Sequence, residues 1–276
     1  MPRLTLYGLT VLALLGASGL IASRNWQGSV ATERAPTLVV AESQAKPIVM
    51  QPVVLAYHGQ QVVLDNQTGR TIVFATTPHA PTRLRLLVAA HTRLRFTFSA
   101  PGIYHLYDKR SAYVNAYQAG SDVVRTRPSA KYAASDNPLQ AWIVAPGQSG
   151  LPLDAHINIP NGSDLFSPPV VAVAVDGTVI LHNYDGDAHN IITDVNDPID
   201  AAFELYGTTQ EPSTHGAERR LIVTQPGLYH IYCSLHAMVM EHAGKWSVVV
   251  PHGSSASGFR AHNAMQAWVL VVPATS

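Results

Sequence analysis

From residue 52 onward the apolar positions come in short runs of four to seven residues, broken by turn-forming Gly, Pro, Asn and Asp. Such runs, rich in Val, Ile and Tyr, read as β-strands rather than helices. In the second half, Val170–Val175 and Thr178–Asn183 are expected strands, joined at Asp176-Gly177, which reads as a hairpin turn. Leu221–Thr224, Gly227–Tyr232, Lys245–Val250 and Ala267–Val272 follow as further strands, while the stretch from Pro198 to Ala217 is less regular. The pattern predicts an all-β chain.

The pattern also repeats. Pro101-Gly-Ile-Tyr-His-Leu-Tyr-Asp108 matches Pro226-Gly-Leu-Tyr-His-Ile-Tyr-Cys233, Gln140-Ala-Trp-Ile-Val144 matches Gln266-Ala-Trp-Val-Leu270, and Val62–Asn66 matches Val179–Asn183. The matches keep their order at offsets of 117 to 126 residues. That period is too long for a solenoid and implies two duplicated domains, each a Greek-key β-sandwich. The expected domains are 51–148 and 153–273, separated by the Gly/Pro/Ser-rich stretch Gly147–Pro152. Residues 24–50, polar and mixed, read as a tether. Residues 1–23 carry Arg3 before an apolar stretch from Leu4 to Ser23. This is the pattern of an export signal, and its length also suits an uncleaved membrane anchor. Either fate puts the folded part outside the cytoplasm, in the periplasm or an equivalent compartment.

Hydrophobic residues make up 47% of the chain and charged ones 13%, enough apolar material for a sizeable core. The formal net charge is zero, so there is no electrostatic case for nucleic-acid binding. The chain has one cysteine, Cys233, and so no internal disulfide. In an oxidising compartment a lone thiol needs protection, which metal ligation supplies. Cys233 lies in Tyr-Cys-Ser-Leu-His236-Ala-Met238-Val-Met240, which places a thiolate, an imidazole and thioethers within eight residues. Soft ligands of this kind suit copper, and His₂Cys with a weak axial Met is an electron-transfer arrangement.

Three segments make the second half resemble the cupredoxin, or type 1 blue copper, family: Thr178–Asn190 with His189, Gln225–Tyr232 leading into the cysteine, and Cys233-x₂-His236-x₃-Met240 followed by Gly244. The resemblance covers about residues 165–251. It implies two cupredoxin-like sandwiches with one type 1 copper in the second, held by His189, Cys233 and His236. It implies Met240 as axial ligand, with His242 as the alternative because it stands two residues before Gly244. Asn190 would tie the two ligand loops together by hydrogen bonds near the cysteine. The repeat sets Asp108 at the position of Cys233, Ser111 at that of His236 and Ile72 near that of His189, so the first domain is expected to lack metal. Asp108, Lys109 and Arg110 read there as solvated charges. His105 and His230, equivalent in the repeat, read as structural, and Trp142 and Trp268 as core anchors.

The resemblance implies a one-electron carrier, with the loop histidine reaching the surface through the apolar residues Leu235, Ala237, Met238 and Val239. A c-type cytochrome or terminal oxidase is the expected kind of partner. Copper storage or delivery is the alternative. A copper-dependent oxidoreductase is disfavoured, because no His flanks Cys233 and no His-x-His pair occurs.

Overall fold

The computed structural model describes residues 35–43, 46–129, 137–147, 150–193, 202–209, 216–242, 245–249 and 264–273, with 238–242 and 245–249 described as backbone. Residues 1–23, read as signal or anchor, lie outside this set. No helix among the described residues is long and apolar enough to cross a membrane.

The first sandwich runs β1 (Thr37–Ser43), β2 (Lys46–Val49), β3 (Val53–Leu55), β4 (Val62–Asn66), β5 (Ile72–Thr76), β6 (Arg85–Val88), β7 (Thr92–Phe96), β8 (Gly102–Asp108), β9 (Ala112–Gln118), β10 (Ser121–Thr126) and β11 (Gln140–Ala145). The second runs β12 (Asp154–Ile159), β13 (Val170–Ala174), β14 (Gly177–Asn183), β15 (His189–Thr193), β16 (Ala202–Leu205), β17 (Glu218–Val223), β18 (Gly227–Tyr232), β19 (Met238–His242), β20 (Lys245–Val249) and β21 (Gln266–Val272). One sheet of each sandwich has the same five-strand order, β3-β11-β8-β5-β6 and β13-β21-β18-β15-β16. The opposing sheets, β2-β1-β4-β7 and β12-β14-β17, correspond as well, with β1 parallel to β4 and β12 parallel to β14. The hairpins β9–β10 and β19–β20 occupy matching places in the chain order. The strand order of the two halves thus corresponds apart from β2, which has no counterpart among the described residues.

Alternation explains the two cores. In β8, Tyr104 and Leu106 face inward with Ile143 of β11 and Phe74 of β5. In the second sandwich, Tyr229 and Ile231 of β18 pack with Ile191, Val269 and Val271. A period-two strand puts every second side chain on the core face. In β4 and β14 the buried Asn66 and Asn183 spend their amides on backbone carbonyls of nearby loops and strands. Asn66 Nδ2 donates to Arg70, Val88 and Ala89, and Asn183 Nδ2 to Asp187 and Leu205. A buried amide satisfied this way fixes the loop leading into the next strand.

Three expectations change. The tether read over residues 24–50 ends earlier, because β1 from Thr37 pairs with β4 and β2 pairs with β1. β1 lies inside its sheet between β2 and β4, with Leu38 and Val40 in the core. The turn at Asp176-Gly177 does not close a hairpin. β13 pairs with β21 and β14 with β12 and β17, so the turn carries the chain from one sheet to the other. Gly177 is required there, since an added Cβ would lie 2.7 Å from the carbonyl oxygens of Leu153 and Ala174. Trp142 and Trp268 are buried but sit on the opposite strand faces from the cores, with ring centroids 5.1 Å apart across the two sandwiches.

His105 stacks on Trp142 and His230 on Trp268, which makes a four-ring column between the sandwiches. Each imidazole Nε2 meets a glutamine Oε1 at 3.0 Å, Gln140 for His105 and Gln266 for His230. Two further links join the sandwiches. Ser167 Oγ donates to Gln118 C=O and meets Ser121 Oγ at the tip of the β9–β10 hairpin, and Ala264 N–H donates to Asn137 Oδ1.

Burial lowers the pKa of His105 to about 4, against the opposing hydrogen bond to Gln140. The unfolded chain therefore binds this proton at a higher pH than the folded one. The contribution is fully kept above pH ~6.5 and lost as pH falls toward 4, about 3 kcal/mol in all. Urea unfolding at pH 7 and pH 4.5 should show this loss, reduced in His105→Phe. An equal loss in the variant would mean other groups set the acid sensitivity.

Candidate metal centre

The buried positions of β18 are Tyr229 and Ile231, so the next inward position is Cys233, one residue beyond the strand. Its side chain is 0% exposed and closes one end of the second core. His189 opens β15, where His189, Ile191 and Thr193 share the buried face. The loop before it is shaped by Asn183, whose Oδ1 accepts from Asp185 N–H while its amide holds Asp187 C=O. His236 follows in a tight turn closed by its own N–H donating to Cys233 C=O.

These three local arrangements converge. Cys233 Sγ lies 3.9 Å from His189 Nδ1 and 3.5 Å from His236 Nδ1. All three side chains are buried, and their ligand atoms lie within 4.8 Å of one another. Bond lengths of about 2.3 Å to sulfur and about 2.0 Å to imidazole nitrogen, at trigonal angles, put sulfur and nitrogen about 3.7 Å apart. The two observed sulfur–nitrogen separations, 3.9 and 3.5 Å, bracket that value. Asn190 ties the ligand segments together, its Oδ1 accepting from Ser234 N–H at 2.7 Å and its Nδ2 donating to Ser234 Oγ at 2.6 Å.

A fourth residue joins the cluster, one that was not foreseen from the sequence. Met265, fully buried, groups with His189, Cys233 and His236. Cys233 N–H donates to Met265 C=O at 3.0 Å, which locks residue 265 beside the cysteine just before β21 begins. Between His236 and Met265 the chain leaves to form β19–β20 and then returns. Met240 and His242, the two expected axial candidates, lie within β19, and their side chains are outside the described residues. Met240 pairs with Ser247 and His242 with Lys245 across that hairpin. The signal for Met265 was present in the repeat: it directly precedes Gln266-Ala-Trp, as Leu139 precedes Gln140-Ala-Trp.

The electrostatics are those of a closed site. Burial pushes the Cys233 thiol above its ordinary pKa, with neighbouring backbone amides opposing. Burial lowers His236, against the carboxylate of Asp164, and raises Asp164, against the imidazoles of His236 and His189. His189 Nε2 faces Asp185 Oδ2 at 3.2 Å, and His236 Nε2 faces Asp164 Oδ1 at 3.5 Å. A carboxylate on the outer nitrogen favours the proton there and leaves the Nδ1 lone pair, on the sulfur side, free to bind a metal. The expected surface position of His236 is not observed, since only 8% of the residue is exposed. Of the apolar loop around it, Leu235 is exposed and Ala237 buried; the side chains of Met238 and Val239 lie outside the described residues.

The corresponding place in the first sandwich holds a different set. Asp108 is buried rather than solvated, with Oδ1 accepting from Val73 N–H and Arg110 N–H and Oδ2 from Ser111 Oγ at 2.6 Å. Asp108 N–H donates to Leu139 C=O, the counterpart of the Cys233–Met265 bond. Backbone amides and a hydroxyl satisfy the carboxylate where the second copy gathers metal donors.

The donor set, two imidazole nitrogens, a thiolate and a thioether in a β-sandwich, is that of a type 1 copper centre. No family model matches the chain, and no curated protein matches it. Among solved structures it is similar to a novel purple cupredoxin from Nitrosopumilus maritimus, 27% identical, covering 35% of this chain and 98% of that one with a TM-score of 0.25. It is also similar to the oxidised form of plastocyanin from Dryopteris crassirhizoma, 18% identical, covering 43% and 100% with a TM-score of 0.27. A third similar structure is a mutant of amicyanin in its Cu(I) form, 16% identical, covering 43% and 82% with a TM-score of 0.28.

Met265→Leu should change the electron paramagnetic resonance and visible spectra of the copper-loaded protein, while Met240→Leu and His242→Ala leave them unaltered. The reverse pattern would return the axial position to β19. Because burial keeps the Cys233 proton on, metal uptake at neutral pH should release a proton. The binding enthalpy will then vary with the ionisation heat of the buffer, and a buffer-independent enthalpy would contradict the protonated thiol.

Proposed function

We propose that this protein is an exported one-electron carrier or relay, with one copper held by His189, Cys233, His236 and Met265. The observation that carries the reading is the buried Cys233 sulfur set between two imidazole Nδ1 atoms. Copper in such a set accepts and releases one electron. The chain's part is to keep the donors in place through the cycle. Cys233 and Met265 are joined through the backbone, His236 is closed onto Cys233 by a turn, and Asn190 fastens the loop of His189 to Ser234. A site held from several elements resists the change of geometry that an oxidation-state change otherwise brings, which keeps electron exchange fast.

A partner outside the cytoplasm, a redox protein such as a c-type cytochrome or terminal oxidase, fits this role. Leu235, 59% exposed and next to His236 in sequence, offers an apolar contact beside the metal for brief docking. The closed, buried donor set supports a carrier over an enzyme that must admit substrate to its metal.

Copper-loaded protein should show intense thiolate-to-copper visible absorption, bind one copper per chain and cycle reversibly by one electron. Cys233→Ser should abolish the colour. A colourless copper complex would contradict electron transfer. A coloured complex that exchanges electrons only slowly would point to storage or delivery, and two tightly bound coppers would overturn the metal-free first sandwich.

A further inference from the structure

Both ligand histidines have a carboxylate on the nitrogen turned away from the sulfur. Asp185 Oδ2 stands 3.2 Å from Nε2 of His189, which is wholly buried, and Asp164 Oδ1 stands 3.5 Å from Nε2 of His236. Oxygens of the two aspartates also lie within 4.8 Å of each other and of a His189 ring nitrogen, so they form one group behind the donor set. The group is built rather than incidental. Asp185 is fixed from two sides, with Gly162 N–H donating to Asp185 Oδ1 at 2.7 Å and Asp185 N–H donating to Asn183 Oδ1. Gly162 belongs to the β12–β13 loop that also carries Asp164, so the bond ties that loop to Asp185, the partner of His189. The same loop is fastened at Ser167, through Gln118 C=O and Ser121 Oγ of the first sandwich. Side-chain exposures of 9% for Asp185 and 16% for Asp164 leave little water to screen the pair.

We propose that Asp164 and Asp185 are positioning residues that set the reduction potential of the centre, by holding both imidazoles as Nδ1 donors and by placing negative charge beside the metal. This rests on the copper reading of the site. Two carboxylates stabilise the more positive oxidation state, Cu(II), over Cu(I). The centre therefore works at a lower potential than the same donor set without them. Outer partners of this kind are typically worth about 10–100-fold in metal affinity. A tenfold change in the Cu(II)/Cu(I) preference is about 59 mV for one electron.

The test is the midpoint potential of copper-loaded wild type, Asp164→Asn, Asp185→Asn and Asp164→Glu. Asparagine keeps the shape and removes the charge, so a purely structural role would leave the potential unmoved. Each Asn variant should keep the colour and raise the potential by at least the tenfold equivalent, and Asp164→Glu should return it toward wild type. If Asp185→Asn does not fold, Asp164→Asn and Asp164→Glu alone decide. Coloured Asp164→Asn with an unchanged potential overturns the proposal and leaves the copper reading standing. A colourless wild-type complex overturns the copper reading and the proposal together.

Discussion

The hydrogen bond from Cys233 N–H to Met265 C=O, 3.0 Å long, is the constraint on which the metal centre depends. It joins the end of β18 to the start of β21 and so sets the sulfur at the mouth of the core. It also brings back a chain that has left to build β19–β20. The first sandwich makes the same bond between Asp108 and Leu139 around its own hairpin. The bond is thus a property of the fold rather than of any metal: the scaffold closes first, and the residues standing at the closure decide what chemistry follows. Cysteine and methionine there, with two histidines nearby, make a soft donor set. Aspartate and leucine there, with Ser111 and backbone amides nearby, make a satisfied polar cap.

What could be read in the sequence follows from range. Cys233, His236 and His189 were legible because each lies in a short segment whose neighbours carry its context, and because β18 and β15 alternate regularly. Asp176-Gly177 misled for a related reason: a turn dipeptide between two strands describes the local bend, not which sheet each strand joins. Met265 drew no attention in the sequence because it lies 32 positions after Cys233, beyond a hairpin, whereas Met240 lay in view. Only the repeat spans that distance, by aligning Met265 with Leu139. The tether reading of 24–50 failed because the two buried positions of β1, Leu38 and Val40, stand among polar residues and Pro36 and Pro47. Burial of His236 and of Asp108 was not legible, since each is covered by residues distant in sequence or by backbone.

The duplication also bears on the place of the first sandwich in the chain. It is joined to the second through the His105–Trp142–Trp268–His230 column, and its contacts reach both segments that complete the centre. Its β9–β10 hairpin holds Ser167 in the loop of Asp164, and Asn137 holds Ala264 next to Met265. These segments lie outside the regular strands of the second sandwich. A rigid neighbour limits their motion more effectively than longer loops could, because fixing backbone otherwise costs roughly 1–2 kcal/mol per residue. The first sandwich thereby contacts segments on two sides of the centre.

A donor set formed in advance should hold copper through a one-electron cycle without rearrangement. X-ray absorption at the copper edge, recorded on the oxidised and reduced forms of the full chain, is the decisive measurement. One copper–sulfur and two copper–nitrogen contacts are expected at short range in both states, with distances that shift little between them. Loss of the sulfur contact on either oxidation or reduction, or a change in the number of nitrogen ligands, would show instead that the site reorganises with each electron.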